Sequence, residues 1–266
     1  MNTMKQTNIS SSSTAKSGGA ILATRGLALA YGAFRAVDGV DLEIRQGTVH
    51  TVIGPNGAGK TSLFHCLTGE RRPSAGQILF DGHDVTRSSA HGRVSIGMAR
   101  SFQITSLFQN LSVRENLRLA SQGRDGHLAL TFWRAEESKR CHLEQADEVL
   151  ERLQLTARAN MAAGDLSHGQ QRVLEVGMAL CARPKLLLLD EPTSGMGVDD
   201  IPIMTNLIAE LGKELTVMLI EHNMRMVMSI SDRITVMHQG RILVEGTPEQ
   251  VRSDDRVRAA YLGECA

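Results

Sequence analysis

Hydrophobic and polar residues follow different patterns along the chain, and these patterns separate regions of different secondary structure. From residue 21 to 45, short apolar stretches are separated by turn residues, which predicts antiparallel β-strands. Residues 186–189 and 215–220 are almost entirely apolar, as in strands buried on both faces of a parallel sheet. We therefore expect an α/β fold with an N-terminal antiparallel β subdomain and a mainly parallel sheet behind it.

The segment from about 112 to 182 has a helical pattern instead. Ser112 and Glu115 have capping-box spacing at the start of one predicted helix, and residues 136–153 repeat apolar side chains on one helical face. We predict that these residues form a helical subdomain inserted into the α/β core. A further helix is expected over 200–211, with Gly212 ending it.

Composition narrows the possible functions. Residues 1–19 are rich in Ser, Thr, Lys and Gly and predict a disordered lead, with a single domain over 20–266. The chain has 29 basic and 29 acidic residues, so no basic surplus indicates a nucleic-acid partner. No apolar run approaches the ~18 residues of a membrane span.

One short stretch carries the strongest chemical signal. Residues 54–61 fit the phosphate-loop pattern G-x-x-x-x-G-K-[ST] between a predicted strand and a predicted helix. The loop consists of Gly54, Pro55, Asn56, Gly57, Ala58, Gly59, Lys60 and Thr61. Its backbone N–H groups can surround a phosphate, while Lys60 reaches the β- and γ-phosphates and Thr61 holds Mg²⁺. A purely structural glycine-rich turn is the alternative.

Two acids and one histidine follow predicted buried strands. Asp190 and Glu191 end the first of these strands, and His222 comes just after the second. Carboxyl ends of parallel strands form the ligand-binding edge of an open α/β sheet. Beside a phosphate loop, Asp190 is expected to face Mg²⁺ and Glu191 an attacking water. The alternatives are solvated loop acids and a structural histidine.

A third motif opens the helix that precedes these acids. The Ser167 side chain can cap this helix, and the Gln170 side chain can accept a hydrogen bond from the backbone N–H of Ser167. An ordinary capped helix also explains these two residues. Gly169 in the first turn is less easily explained, because glycine costs a helix about 1 kcal/mol relative to alanine. A glycine at this place suggests that another group approaches the backbone closely.

These motifs stand in an order that resembles the nucleotide-binding subunit of ATP-binding-cassette (ABC) transporters, over about residues 21–263. The phosphate loop is followed by Gln103, the 166–170 signature, the strand with Asp190 and Glu191, and then His222. The runs 100–103, 220–224 and 261–264 look most like importers of branched-chain amino acids, amides or urea.

The resemblance implies a role for each motif residue. Tyr31 would stack on adenine, the phosphate loop with Ser62 would bind the phosphates, and Thr61, Gln103 and Asp190 would contact Mg²⁺. Glu191 would be the general base, and His222 would sense the γ-phosphate. Ser167, Gly169 and Gln170 would contact the ATP of a second subunit.

The resemblance also implies partners. These are integral-membrane permease subunits, a second ABC ATPase subunit that is identical or related, and indirectly an extracytoplasmic solute-binding protein. The chain would then be a peripheral protein at the cytoplasmic face of the plasma (inner) membrane. The loop after Gln103 and the helical insert would form the docking groove for the permease.

The sequence departs from the family pattern at two positions. His168 stands where the family usually has glycine, and Gly197 stands where it usually has an acidic residue. Asp199 and Asp200 are the candidates to replace that acid. Three other interpretations stay open: a lipid or lipopolysaccharide extraction ATPase, an ABC-type ATPase without a membrane partner, and a phosphate-loop kinase.

Overall fold

The computed structural model describes residues 19–101, 107–123 and 135–262. Apart from Gly19, the predicted disordered lead lies outside these residues, and so does Gln103. The strands are β1 (Ala20–Tyr31), β2 (Phe34–Val40), β3 (Glu43–Arg45), β4 (Val49–Ile53), β5 (Ala75–Phe80), β6 (His83–Asp84), β7 (Met98–Arg100), β8 (Leu186–Asp190), β9 (Thr216–Ile220), β10 (Arg233–His238) and β11 (Arg241–Gly246).

Several helices connect these strands. They are α1 (Lys60–Thr68), α2 (Ala90–Ser95), α3 (Val113–Gln122), α4 (Ala135–Arg152), α5 (His168–Leu180), α6 (Ile201–Glu214), α7 (Met224–Ile230), α8 (Pro248–Ser253) and α9 (Asp255–Leu262). Short 3₁₀ turns at Thr156–Arg158 and Ala163–Asp165 join α4 to α5. None of the described helices is long and apolar enough to cross a membrane.

The strands form two sheets, as the hydrophobic pattern predicts. In the first sheet β2, β1, β5 and β6 pair antiparallel in that order, and β3 also pairs with β1. In the second the order is β11-β10-β4-β9-β8-β7, and every pair is parallel except β10 with β11. Every residue of β4, β8 and β9 is buried, which agrees with strands covered on both faces.

The α/β expectation is therefore confirmed, and the helices α3, α4 and α5 lie within the predicted helical region. The division of the chain into a core and an insert at 112–182 remains a prediction. One local detail was wrong. Ser112 caps α3 by accepting from the backbone N–H of Glu115, but the Glu115 carboxylate binds Arg118 instead of closing a capping box.

Gly212 does not end its helix. Helix α6 continues to Glu214, and Gly212 is buried inside it. A β-carbon at 212 would lie 2.3 Å from Cγ2 of Val49. Gly212 therefore lets α6 pack directly onto the central strand β4, and tertiary packing rather than helix termination explains this glycine.

Candidate active site

The predicted chemical residues meet at one edge of the parallel sheet. Strands β4, β9 and β8 are neighbours and run in the same direction, so their carboxyl ends lie side by side. The phosphate loop follows β4, His222 follows β9 by two residues, and Asp190 ends β8. The fold therefore brings together motifs that are more than 100 residues apart in the sequence.

The phosphate loop is held by glycines that no other residue could replace. Gly59 has φ +99°, and a β-carbon there would lie 2.2 Å from the carbonyl oxygen of Ala36. A β-carbon on Gly54 would lie 2.2 Å from the carbonyl oxygen of Met237. The loop is thus pressed against β2 and β10. Gly59 provides no side chain to cap α1, and the amino end of a helix attracts an anion.

Lys60 is folded back onto the loop that precedes it. Its Nζ donates to the carbonyl oxygens of Gly54 at 2.7 Å and Pro55 at 2.9 Å. The ammonium group is buried and stays inside the curve of the phosphate loop. Its positive charge is therefore placed where the loop amides can bind an anion.

The Asp190 carboxylate is buried beside other acidic side chains, which disfavours its charged form. Its side chain is 7% exposed at the end of β8. Burial, the nearby charge of Glu191 and that of Glu70 raise its pKa to about 6, while His222 and Lys60 act in the opposite direction. A buried carboxylate of this kind is stabilised in its charged form by a cation.

Glu191 and His222 face each other across the edge of the sheet. The imidazole Nε2 of His222 lies 2.5 Å from Oε1 of Glu191. Glu191 has φ +48°, an unusual value for a residue other than glycine, and its N–H donates to the carbonyl oxygen of Ile220. The chain therefore turns sharply after Asp190 and holds the Glu191 carboxylate against the imidazole.

A buried acid that the sequence analysis did not select holds this arrangement. Glu221 is 2% exposed, and its Oε1 accepts from the backbone N–H and the hydroxyl of Thr193. Its Oε2 accepts from the N–H groups of His222 and Asn223 at 2.7 and 3.0 Å. Glu221 thus ties the loop after Glu191 to the segment that carries His222. An acid directly between a buried strand and a candidate histidine was the available signal.

The signature segment starts α5 with a complete capping box. Ser167 Oγ accepts from the N–H of Gln170 at 3.3 Å, and the Gln170 side chain accepts from the N–H of Ser167 at 3.2 Å. This part of the prediction is confirmed. The group that approaches Gly169 closely belongs to the same chain: a β-carbon at 169 would lie 2.3 Å from Oδ2 of Asp200.

Tyr31 lies at the tip of a hairpin beside the phosphate loop. It pairs with Phe34 across the turn, and the two side chains are 47% and 63% exposed. Two residues beyond Phe34, the Ala36 carbonyl contacts the Gly59 position. An exposed aromatic ring is therefore available near the place where the phosphates would bind.

The polar groups at this edge suit a hard cation that is held only partly by protein. Among the described residues, no cluster of three or more His, Cys, Asp and Glu side chains could hold a metal ion by itself. Mg²⁺ commonly takes one or two protein oxygens and completes its shell with phosphates and water. The hydroxyl of Thr61 and the carboxylate of Asp190 provide such oxygens, so the residues fit Mg²⁺.

The fold and the site define a phosphate-loop nucleoside triphosphatase. A family model described as "ABC transporter" matches residues 37–194, and one described as "Branched-chain amino acid ATP-binding cassette transporter" matches residues 241–264. The chain belongs to the ATP-binding-cassette family of transporter ATPases, and it is an ATP-hydrolysing subunit. Members of this family work as dimers with membrane permease subunits.

Individual relatives agree with this assignment. The chain is 43% identical over 253 residues to the high-affinity branched-chain amino acid transport ATP-binding protein BraF of Pseudomonas aeruginosa, covering 92% of this chain and 98% of BraF. It is 39% identical over 252 residues to LivG of Escherichia coli, with the same coverage. The ADP conformation of MJ1267, an ATP-binding cassette of an ABC transporter, superposes with a TM-score of 0.81 at 32% identity, covering 92% and 99% of the two chains.

Proposed function

We propose that this chain energises the import of a small polar solute of the branched-chain amino acid, amide or urea class. The observation that carries the proposal is the match of residues 241–264 to the branched-chain amino acid model, together with the similarity to BraF and LivG, which are branched-chain amino acid transport proteins. The chain is also 33% identical over 245 residues to the lipopolysaccharide export protein LptB of Haemophilus influenzae, and its higher identity to BraF and LivG favours the importer.

The site residues divide the work of ATP binding. The phosphate-loop amides and Lys60 bind the phosphates, with Ser62 next to Thr61 on α1, and Tyr31 stacks on the base. The amino end of α1, which has no side-chain cap, and the ammonium charge of Lys60 support this assignment. Binding requires Lys60 to exchange its loop carbonyl partners for phosphate oxygens.

Mg²⁺, held by Thr61, Asp190 and Gln103, would neutralise charge on the bound phosphates. The raised pKa of Asp190 supports its part in this set, because a buried carboxylate gains from a cation. Gln103 lies outside the described residues; in the sequence it comes three residues after Arg100, where β7 ends beside β8.

Hydrolysis needs a base next to the attacking water. Glu191 accepts a proton from the water, and the oxygen of that water attacks the γ-phosphorus. The bond between the γ-phosphorus and the β–γ bridging oxygen breaks, and ADP leaves with that oxygen. The His222 imidazole, 2.5 Å from the carboxylate, orients Glu191 and lies where it can contact the γ-phosphate. The two residues therefore form one catalytic pair.

Two such chains, or this chain and a related one, enclose two ATP molecules between them. The 167–170 segment of each subunit contacts the ATP that is held by the other. Ser167, Gly169 and Gln170 lie at the amino end of α5, where helix N–H groups attract an anion. ATP then holds the dimer together, and hydrolysis opens it.

The permease docks in a groove between the core and the helical region. A cavity of about 350 Å³ lies between α2, β7, α3 and α5. It is lined mainly by apolar residues, among them Ala90, Val94, Met98, Ala120, Met178 and Ala182. Phe108 and Leu111, just before α3, are exposed large hydrophobic residues. These features support a docking site for a short apolar helix of the permease, at the cytoplasmic face of the inner membrane.

Isolation of the native complex tests this proposal. A tag on this chain is used to purify it from detergent-solubilised membranes, and the copurified proteins are identified by mass spectrometry. Multi-span permease subunits, a second cassette, and a solute-binding protein that stimulates ATP turnover only with its solute are expected. Recovery with lipid-extraction partners, or from the soluble fraction without any membrane protein, would reject the importer.

A further inference from the structure

Two close contacts join the signature segment to the loop after the catalytic acid, within one subunit. The first is between Gly169, in the first turn of α5, and Asp200, the N-cap of α6. A β-carbon at 169 would lie 2.3 Å from Oδ2, 2.4 Å from Cγ and 2.7 Å from Cβ of Asp200. The whole side chain of Asp200 therefore rests on the backbone of Gly169.

The second contact lies beside the first. A β-carbon on Gly195, which has φ +75°, would lie 3.0 Å from Nε2 of His168. The imidazole of His168 thus fills the space that Gly195 leaves open. Adjacent residues of the signature segment are in this way fitted against two points of the same loop.

The loop between these contacts is continuous with the catalytic acid. Backbone hydrogen bonds join Ser194 to Glu191 at 2.9 Å, Met196 to Thr193 at 3.1 Å and Asp200 to Gly197 at 3.0 Å. Successive hydrogen-bonded turns therefore constrain the backbone between Glu191 and Asp200. A displacement of either end is passed to the other through these turns.

The carboxylate of Asp200 also has an electrostatic reason to lie where it does. It makes no side-chain hydrogen bond that caps its own helix α6. The first turn of α5 contains no acidic residue, and its amino end attracts negative charge. Asp200 supplies that charge from outside the helix. Asp200 also lies beside Gly197, because a β-carbon at 197 would be at an ordinary contact distance of 3.7 Å from its Oδ2.

We infer that Asp200 is a positioning residue that fixes the amino end of α5 to the loop following Glu191, and that Gly169 is glycine in order to admit it. Ser167 and Gln170 then move together with the catalytic loop. The inference rests on the proposed role of the signature segment across the dimer interface. It gives Gly169 a second role, within its own subunit, in addition to its proposed contact with the partner's nucleotide.

A rescue experiment on the full-length chain tests this inference. Gly169→Ala is expected to lower the urea midpoint and to reduce ATP turnover at least ~10-fold, because the new methyl group displaces Asp200. Asp200→Gly removes the obstructing side chain and is expected to reduce turnover only about 2–5-fold with an unchanged ATP dissociation constant. The double variant should then match Asp200→Gly in both measurements. Asp200→Asn, which keeps the shape, should stay within about twofold of the parent in turnover.

Gly177→Ala is the matched control. Gly177 lies on the same helix as Gly169, and its new methyl group would lie 2.3 Å from Cδ1 of Leu153, so Asp200→Gly should not rescue it. If the double variant is as inactive as Gly169→Ala, Gly169 is reserved for the nucleotide and the inference is wrong. Rescue of the urea midpoint reports the contact itself. It therefore separates this inference from the role across the interface, which Ser167→Arg tests.

Discussion

The imidazole Nε2 of His222 and the carboxylate Oε1 of Glu191 lie 2.5 Å apart at the ends of neighbouring strands. The ends of β8 and β9 do not by themselves account for the positions of Glu191 and His222. The left-handed backbone of Glu191 and the Glu221 carboxylate under His222 both contribute to the contact. The pair therefore belongs to the fold of the single subunit.

Replacing Glu191 with glutamine should separate ATP binding from hydrolysis. The amide keeps the shape of the side chain but cannot take a proton from water, so turnover should fall by about 10²–10⁴-fold. ATP should still bind, and a dimer should accumulate in size-exclusion chromatography. Glu210→Gln, an exposed acid on α6, is the control and should behave as the parent. A Glu191→Gln chain with most of its turnover would remove this residue from the base role.

Lys60→Ala should lose affinity for ATP rather than catalytic rate alone. The ammonium group is the positive side chain inside the phosphate loop, where it now binds the carbonyls of Gly54 and Pro55. We expect the ATP dissociation constant, measured by calorimetry, to rise by about 10-fold or more. Lys213→Ala, on the exposed face of α6, should leave it unchanged. Equal affinity in both variants would contradict the assigned role.

The chemistry of the site could be predicted from the sequence because it depends on local patterns. The phosphate loop, the acids after an apolar strand and the capping box of Ser167 and Gln170 each occupy a few consecutive residues. Parallel pairing of β4, β9 and β8 then brings the phosphate loop and the acids together, and the apolar runs of β8 and β9 are typical of buried parallel strands.

The remaining features depend on contacts between distant segments. Gly212 has the appearance of a helix stop, yet it is the place where α6 meets Val49. Gly169 is next to Asp200 only after folding, and Glu221 has four hydrogen-bond donors because two loops converge on it. Neither the hydrophobic periodicity nor the spacing of motifs in the sequence predicts which residue will contact a given glycine or carboxylate.

Glu221→Gln should impair ATP turnover with little effect on ATP binding. Each carboxylate oxygen of Glu221 accepts from two donors, and only the Thr193 hydroxyl can turn to accept instead, so an amide nitrogen in place of either oxygen leaves at least one backbone N–H unsatisfied. The expected loss of unfolding free energy is about 2–4 kcal/mol, measured by urea denaturation. The catalytic rate should fall while the ATP dissociation constant changes less than about threefold. Glu151→Gln, an exposed acid, is the control, and equal stability of the two variants would refute the buried role of Glu221.

Ser167→Arg should block turnover through the partner subunit. The arginine side chain projects from the amino end of α5, where the proposal places the ATP of the second chain. Binding of ATP to the isolated subunit should therefore be unchanged, while turnover is lost. A mixed dimer with one Ser167→Arg chain should lose only the site that this chain completes. If the isolated variant binds ATP as poorly as it turns over, the assignment across the interface is wrong.

Asp190→Asn should stabilise the nucleotide-free protein, and the effect should depend on pH. Burial and the charge of Glu191 raise the pKa of Asp190 from 3.8 to about 6. The folded chain therefore binds more protons than the unfolded chain between these values, and stability is lost as pH rises through about 6. Above that pH the charged carboxylate costs about 3 kcal/mol, which the neutral amide does not.

The measurement compares urea unfolding of the parent and Asp190→Asn without Mg²⁺ at pH 7.5 and pH 4. The variant should be the more stable at pH 7.5, and the difference should shrink toward pH 4, where Asp190 is protonated in the folded chain and partly protonated in the unfolded chain. Other titrating groups cancel in this difference, including buried His50, whose pKa is lowered to about 4 by burial. Asp199→Asn, at an exposed acid, is the control. A variant that is less stable at both pH values would show that the Asp190 carboxylate stabilises the fold, and the cost of its burial would be refuted.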